Sequence, residues 1–354
     1  MKILVVSNMY PSKKYPSYGI FVKNYCNQLE ELGINYDTAV MKKGSNIIMK
    51  MLRYILFYVT TFVKCVVKRY DIVYIHYASN SSIPVLWANK IRKINVYTNV
   101  HGSDVVPENK KQEKLQKYTR RIIDKSTKVI TPSEYFKEYV CRKYNVTEDK
   151  VCVSYSGGID SKVFYKRKDK TKKDILVMGY VGRISYGKGW DTLLKACSHI
   201  CEKKYKLFMV GSGSMSSEMD KLISELGIRD NVEIFPLLEQ NKLRDIYNEI
   251  DVFIFPTERE GESLGLVAVE AMACGTPVIA SDFAAPSSYV INGVNGYKFE
   301  KGKEADLAST IESFMGLDVL KREELSIGAI ETAKKYEKSK VLEQMRHILL
   351  GGGL

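Results

Sequence analysis

The sequence predicts an α/β protein made of two doubly wound, Rossmann-like domains in tandem. Short apolar runs alternate with amphipathic stretches of helical period nearly from end to end, the pattern of stacked βαβ units around parallel sheets. The length of 354 residues suits about two domains, each with its own core. Near the middle, Tyr165 to Asp174 carries six Lys or Arg without apolar periodicity and reads as a linker.

The elements follow in order. Ile3 to Ser7 is a short apolar run and opens the first sheet. Phe21 to Leu32 has helical period, and Gly33 supplies the residue that ends such a helix. Tyr36 to Val40, Ile72 to His76, Val96 to Val100, Lys128 to Thr131 and Val151 to Ser154 complete the strands of a first domain at 1–164. Beyond the linker at 165–174, strands are expected at Ile175 to Val181, Lys206 to Val210, Val232 to Phe235, Val252 to Phe255 and Val278 to Ala280. These form a second domain at 175–335, and a last helix at 336–350 can cross back to the first. Two such domains would set the carboxyl ends of their sheets on facing walls of one central cleft, where folds of this class bind ligands. No repeat of solenoid period occurs. The terminal Gly351-Gly352-Gly353-Leu354 looks like a cloning remnant.

Apolar residues make up 45% and charged residues 27%, with a mean hydropathy of −0.20, which excludes wholesale disorder, a collagen-like chain and a polytopic membrane protein. The seven cysteines form no C-x-x-C pair, and Met1 opens directly into a strand-like run, so a reduced, cytoplasmic protein is expected. Charge is unevenly placed. Residues 1–173 hold 33 Lys and Arg against 14 Asp and Glu, a net +19, while the remainder is net −6. Such asymmetry suits a first domain facing an anionic surface, nucleic acid or an acidic membrane leaflet; a lysine-rich solvated surface is the plain alternative. Within this half, Ile47 to Lys68 is the most apolar helix. Its longest uncharged run, Tyr54 to Val63, falls short of the roughly 20 residues a membrane span requires. Lys50, Arg53, Lys64 and Lys68 share an arc of about 60°, with Phe57 on it. Two readings stay open: a helix sandwiched in the core with one solvated edge, or an interfacial helix lying on anionic lipid, with Lys114, Lys117, Arg120, Arg121 and Lys125 extending that surface.

Chemistry concentrates in four stretches. In Glu258 to Asp282, Glu262 and Glu270 stand eight apart, the first before a helix start marked by Ser263 and Gly265, the second inside its second turn. The amides of Ser263, Leu264, Gly265 and Leu266 would be unpaired at that start, an anion site suited to a diphosphate, and carboxylates on either side can accept hydrogen bonds from sugar and ribose hydroxyls. Glu260 lies in the same acidic run, yet no Asp-x-Asp occurs in the chain, so no metal is expected. Just past a strand, Gly182-Arg183-Ile184-Ser185-Tyr186-Gly187-Lys188-Gly189 offers two cations to the charge that builds on a departing phosphate. His101-Gly102-Ser103-Asp104 follows another strand, where His101 alone would read as structural. Between the first strand and first helix, Tyr10 to Val22 carries Tyr18 and Gly19 in a loop rich in tyrosine and lysine. Gly211-Ser212-Gly213-Ser214 makes an incomplete dinucleotide fingerprint, read either as a phosphate-side turn or as an ordinary one.

Glu262 and Glu270 in E-x7-E spacing, followed by Ala271-Met272-Ala273-Cys274-Gly275-Thr276-Pro277 and joined by Arg183, Lys188 and His101-Gly-x-Asp104, closely resemble the retaining glycosyltransferases of family 4. The single Gly19 followed by Ile-Phe-Val, where members usually carry a glycine pair, looks like a bacterial polysaccharide-assembly branch. The resemblance runs from Lys2 to about His347 and implies a GT-B fold. It assigns catalytic roles to Arg183, Lys188, Glu262 and His101. Donor contacts would come from Gly19, Gly182, Gly211, Ser263, Leu264, Gly265, Leu266 and Glu270, with Asp104 and Tyr18 on the acceptor side. It implies a nucleotide-sugar donor, most simply UDP-linked, a polyprenyl-diphosphate-linked glycan acceptor, an anionic inner membrane leaflet holding the protein at the cytoplasmic face, and neither metal nor nucleic acid. A UDP-sugar epimerase or hydrolase of the same architecture and a non-catalytic membrane-surface adaptor are the alternatives. A dinucleotide oxidoreductase is disfavoured, because no complete G-x-G-x-x-G with a following acidic residue is present.

Overall fold

A computed structural model describes residues 1–44, 46–167, 175–200 and 204–351. The chain divides into two units: unit 1 comprises Met1–Gly157 together with the chain from Val341 onward, and unit 2 comprises Gly158–Lys340. Most of the expected linker, 168–174, lies outside the described residues, as do Cys201 and 352–354 of the terminal glycine run. Tyr165 to Arg167 belong to unit 2, where Lys166 pairs with Glu323 at 2.7 Å and the Arg167 amide donates to Asn248. The division at Gly157/Gly158 thus precedes the expected boundary at 164, because the chain up to the linker is already docked on unit 2.

Unit 1 holds a six-stranded parallel sheet in the order β2-β1-β3-β4-β5-β6. Its strands are β1 (Lys2–Tyr10), β2 (Asn35–Lys42), β3 (Ile72–His76), β4 (Val96–Asn99), β5 (Lys128–Thr131) and β6 (Val151–Val153). The connecting helices are α1 (Ile20–Glu31), α2 (Ile47–Val67), α3 (Ala78–Ile91), α4 (Lys110–Lys125) and α5 (Glu134–Tyr144). The strands read as continuous apolar runs because helices cover both faces of the sheet; every residue of β3 is buried. One core layer contains Leu4, Val6, Val73, Ile75 and Val129, and the other Ile3, Val5, Ile72, Tyr74 and Ile130. Asn46 caps α2 by accepting from the Met49 amide, and Asn109 caps α4 in the same way.

α2 contradicts the sandwiched reading. Its buried face is Phe57, Thr61 and Cys65, while much of its apolar remainder faces outward. Nor does the basic arc form the free face: Arg53 donates to the carbonyls of Lys42 and Lys43, Lys64 to that of Thr38, and Lys68 pairs with Asp37. These cations moor the helix to β2 and the turn after it.

Unit 2 holds a second six-stranded parallel sheet in the order β12-β11-β10-β7-β8-β9. The strands are β7 (Leu176–Val181), β8 (Tyr205–Val210), β9 (Val232–Phe235), β10 (Val252–Phe255), β11 (Val278–Ser281) and β12 (Gly296–Phe299). The helices are α6 (Trp190–His199), α7 (Ser216–Glu225), α8 (Gln240–Glu249), α9 (Leu266–Ala273), α10 (Glu304–Met315) and α11 (Val319–Lys334). β7, β10 and β11 are buried along their whole length. α12 (Lys338–Leu350) starts in unit 2 and continues in unit 1, where Met345 and Leu349 join the layer around Ile3 and Val5.

Candidate functional site

In unit 2 the strand order reverses between β7 and β10, and sheets of this kind receive ligands at the loops that follow such neighbouring strands. Those loops are 182–189 and 256–265, and they carry seven of the expected residues: Gly182, Arg183, Lys188, Glu262, Ser263, Leu264 and Gly265. They are laced together: the Glu258 amide donates to the Gly187 carbonyl at 2.9 Å. Gly189, at φ +69°, opens α6 where the loops touch. A side chain there would put its Cβ 1.7 Å from the Pro256 carbonyl oxygen.

This close approach sets Lys188 Nζ 2.6 Å from Glu262 Oε2, in a pair whose side chains are 17% and 11% exposed. The same oxygen accepts from Thr257 Oγ1 at 3.2 Å, and Thr192 Oγ1 donates to Glu258 Oε1 at 2.7 Å. A lysine so shielded meets its charge locally until a stronger anion arrives. Arg183, on the same loop, is exposed and makes no ion pair among the described residues. A second turn, 211–216, is fastened to the first loop. Ile184 donates to the Ser212 carbonyl, Met215 donates to the Ile184 carbonyl, and the backbones of Gly182 and Gly211 abut.

α9 begins at Gly265, whose φ of +78° and tight contact with the Phe255 ring exclude any Cβ. Among the described residues, the amides of Ser263, Leu264, Gly265 and Leu266 donate to no protein acceptor, which leaves them for an anion. One turn on, Glu270 Oε2 accepts from the buried Tyr247 hydroxyl at 3.1 Å. Burial pushes the Glu270 carboxyl up to about 7, and the Tyr247 hydrogen bond pulls it partly back. The structure therefore joins Lys188 to Glu262 directly and Glu270 to Tyr247, with Arg183 at the surface of the Lys188 loop.

Unit 1 reverses its strand order between β1 and β3. Gly19, left-handed at φ +73°, opens α1 in the loop after β1, and Tyr18 Oη donates to the Asn8 carbonyl at 3.3 Å. His101 follows β4, and its Nε2 lies 3.0 Å from Nδ1 of His76, the last residue of β3. Phe21 packs on the His101 ring at 4.2 Å and Tyr25 edges onto His76 at 4.7 Å. Burial lowers both imidazoles, His101 to about 3, so at neutral pH the pair is uncharged and one ring N–H bridges the two nitrogens. Asp104 is fully buried. Its carboxylate accepts from the amides of His101, Gly102 and Ala78, so it shapes the turn beneath His101 and presents no surface to an acceptor. It also tethers the start of α3, where Tyr77 is held at φ 63° with its hydroxyl on Ser103.

Sequence reasoning assigned no role to His76 and did not single out Thr257 or Tyr247. His76 was recoverable from register, since it pairs with Asn99 two residues before His101. Thr257 and Tyr247 gave no signal, because a lone hydroxyl becomes informative only beside the carboxylate it serves. Imidazoles held neutral make a protein less stable as pH falls below their ordinary value of about 6.5, because the unfolded chain then binds the extra protons. His76→Gln is expected to flatten the acid side of the melting temperature against pH curve between pH 6.5 and 4, and an unchanged slope would refute this account.

Residues 161–334 match the family described as Glycosyl transferases group 1, and residues 20–160 match Glycosyltransferase Family 4. Among curated relatives, an uncharacterized glycosyltransferase of Methanocaldococcus jannaschii is 34% identical over 182 residues, covering 48% of this chain and 46% of that protein. The capsular polysaccharide biosynthesis glycosyltransferase CapM of Staphylococcus aureus is 28% identical over 232 residues, covering 62% and 60%. The chain thus spans about half the length of the curated relatives it matches. Among solved structures, a sucrose-phosphate synthase from Thermosynechococcus elongatus superposes with a TM-score of 0.81 at 20% identity, covering 99% of this chain and 98% of that one. Anabaena Alr3699/HepE in complex with UDP superposes at 0.76 and 17% identity, covering 99% of both. These likenesses show the fold. Two six-stranded parallel sheets flanked by helices, with both family matches together running from residue 20 to 334, establish that the chain belongs to the GT4-type glycosyltransferases of GT-B fold.

Proposed function

We propose that the chain is a retaining glycosyltransferase that moves a hexose or N-acetylhexosamine from a nucleoside-diphosphate sugar, UDP-linked, to a hydroxyl of a lipid-linked glycan in cell-surface polysaccharide synthesis. The observation that carries the reading is the Lys188–Glu262 pair at the strand-order reversal of unit 2, next to the open amides at the start of α9. Support for the donor comes from the structural neighbour Alr3699/HepE, solved in complex with UDP and with UDP-glucose, and for the pathway from CapM.

In this scheme the bond between the anomeric carbon and the β-phosphate oxygen breaks while the acceptor oxygen bonds to the same face. The acceptor proton passes to the departing phosphate oxygen, giving a glycoside and a nucleoside diphosphate. Lys188 and Arg183 meet the negative charge that grows on that phosphate, so they act on the transition state more than on the bound donor. The α9 amides hold the diphosphate, Glu270 accepts from the ribose hydroxyls, and Glu262 and His101 orient the sugar. No step requires a metal.

A thermal-shift panel of nucleotides and nucleotide sugars tests the donor. A ligand at 100 times its Kd stabilises the folded state by about 2.7 kcal/mol, and UDP is expected to give the largest shift among the nucleoside diphosphates. Turnover is expected to persist in EDTA, with NMR of the product showing the donor's anomeric configuration. An inverted product, or release of free sugar without acceptor, would overturn the proposal, the latter in favour of a hydrolase.

A further inference from the structure

α2 is apolar on two opposite sides. Phe57, Thr61 and Cys65 pack into unit 1. Roughly opposite, Ile48, Leu52, Ile55, Leu56, Val59 and Val63 lie between 47% and 68% exposed, within an arc about 100° wide. Soluble proteins leave single apolar side chains at the surface without consequence, whereas a stripe along a 21-residue helix, about 30 Å long, marks an interaction face. α3 extends it. Trp87 is 47% exposed with its ring edge-on to Tyr58 at 5.7 Å, and Ile91 is 64% exposed. Arg92 locks the two helices together by donating to the Val66 and Lys68 carbonyls.

The charge around this face selects its occupant. Arg53 holds the carbonyls of Lys42 and Lys43, which places these exposed lysines beside the exposed Lys50 at the start of α2. Lys43 lies over the Tyr15 ring at 4.6 Å, and the whole segment 1–173 is net +19. A second copy would set like charge against like. An anionic bilayer takes both features at once, burying the apolar stripe about 5–10 Å deep while ammonium groups reach the lipid phosphates. No helix among the described residues is long and apolar enough to cross a membrane. We propose that the outer face of α2, with Trp87 and Ile91 of α3, docks unit 1 onto an anionic lipid surface with the helix lying in the headgroup plane. This docking stands independently of the glycosyl-transfer reading.

The test is co-sedimentation of the full chain at low salt with vesicles of phosphatidylcholine alone and of phosphatidylcholine with 30% phosphatidylglycerol as a chosen composition. Binding to the anionic vesicles is expected to be at least ~30-fold stronger and to weaken as salt is added. Leu52→Gln/Leu56→Gln, at exposed positions that leave the melting temperature unchanged, is expected to reduce it at least ~30-fold. Lys42→Gln/Lys43→Gln is expected to reduce only the anionic preference, by about 20-fold. Equal recovery with both vesicle types, or unchanged binding by the leucine variant, overturns the proposal. So does a concentration-dependent dimer in light scattering that the leucine variant abolishes, since the face would then belong to a second copy.

Discussion

Lys188→Ala is expected to lower turnover at least ~100-fold, the scale of losing one preorganised donor to a developing oxyanion. The structure adds a complication that shapes the measurement. Lys188 neutralises Glu262 at 2.6 Å, so the single variant also strands a mostly buried carboxylate, which by itself costs stability. A double-mutant cycle separates the two effects. Lys188→Ala/Glu262→Gln should recover much of the lost melting temperature, because the neutral amide still accepts from Thr257, while turnover stays at least ~100-fold down. Arg183→Ala should lose turnover on the same scale with little change in stability, since its side chain holds no ion pair in the described structure. Wild-type turnover in both Arg183→Ala and Lys188→Ala would remove the leaving-group role altogether.

Glu270→Gln is expected to weaken nucleotide binding ~10-fold or more while stabilising the empty protein at alkaline pH. The two effects share one cause. Burial raises the carboxyl from 4.5 to about 7, so the folded chain holds this proton more tightly than the unfolded chain does. Folding is unopposed by the group below pH 4.5, and as pH rises through 7 its ionisation in a half-buried site subtracts as much as ~3 kcal/mol. Glutamine keeps the Tyr247 hydrogen bond and removes that cost. Melting temperature against pH should therefore show the variant ahead of wild type at pH 8 and level with it near pH 4.5. Only the ionised carboxylate accepts from two ribose hydroxyls without a competing proton, so donor affinity in the wild type should also fall below pH 7. Equal stability of the two proteins at both pH values would refute the burial account, and equal nucleotide affinity would refute the ribose contact.

The fold was legible because parallel strands buried on both faces leave unbroken apolar runs, as Ile72 to His76 and Val252 to Phe255 do. β12 escaped notice. Gly-Tyr-Lys-Phe at the sheet edge needs only Gly296 and Phe299 inward, a pattern too short and too polar to separate from a turn. Glu262, Lys188 and Gly265 stood out through their spacing around a helix start, yet Tyr247 could not, because nothing in α8 announces that a hydroxyl there will meet Glu270. The orientation of α2 was ambiguous for a similar reason. Its basic arc reads as solvent-facing in a helical projection, whereas backbone carbonyls of the neighbouring strand and turn bind Arg53 and Lys64.

Unit 1 is discontinuous in sequence: its core layer around Ile3, Val5 and Ile130 includes Met345 and Leu349, which emerge from the ribosome only after all of unit 2. During synthesis the amino-terminal half has α1, through Val22, Tyr25 and Leu29, on this layer but lacks the part that Met345 and Leu349 cover, while the contiguous Gly158–Lys340 segment can settle first. The last stretch of chain to be made therefore completes the first domain begun, and α12 acts as a late latch on its core.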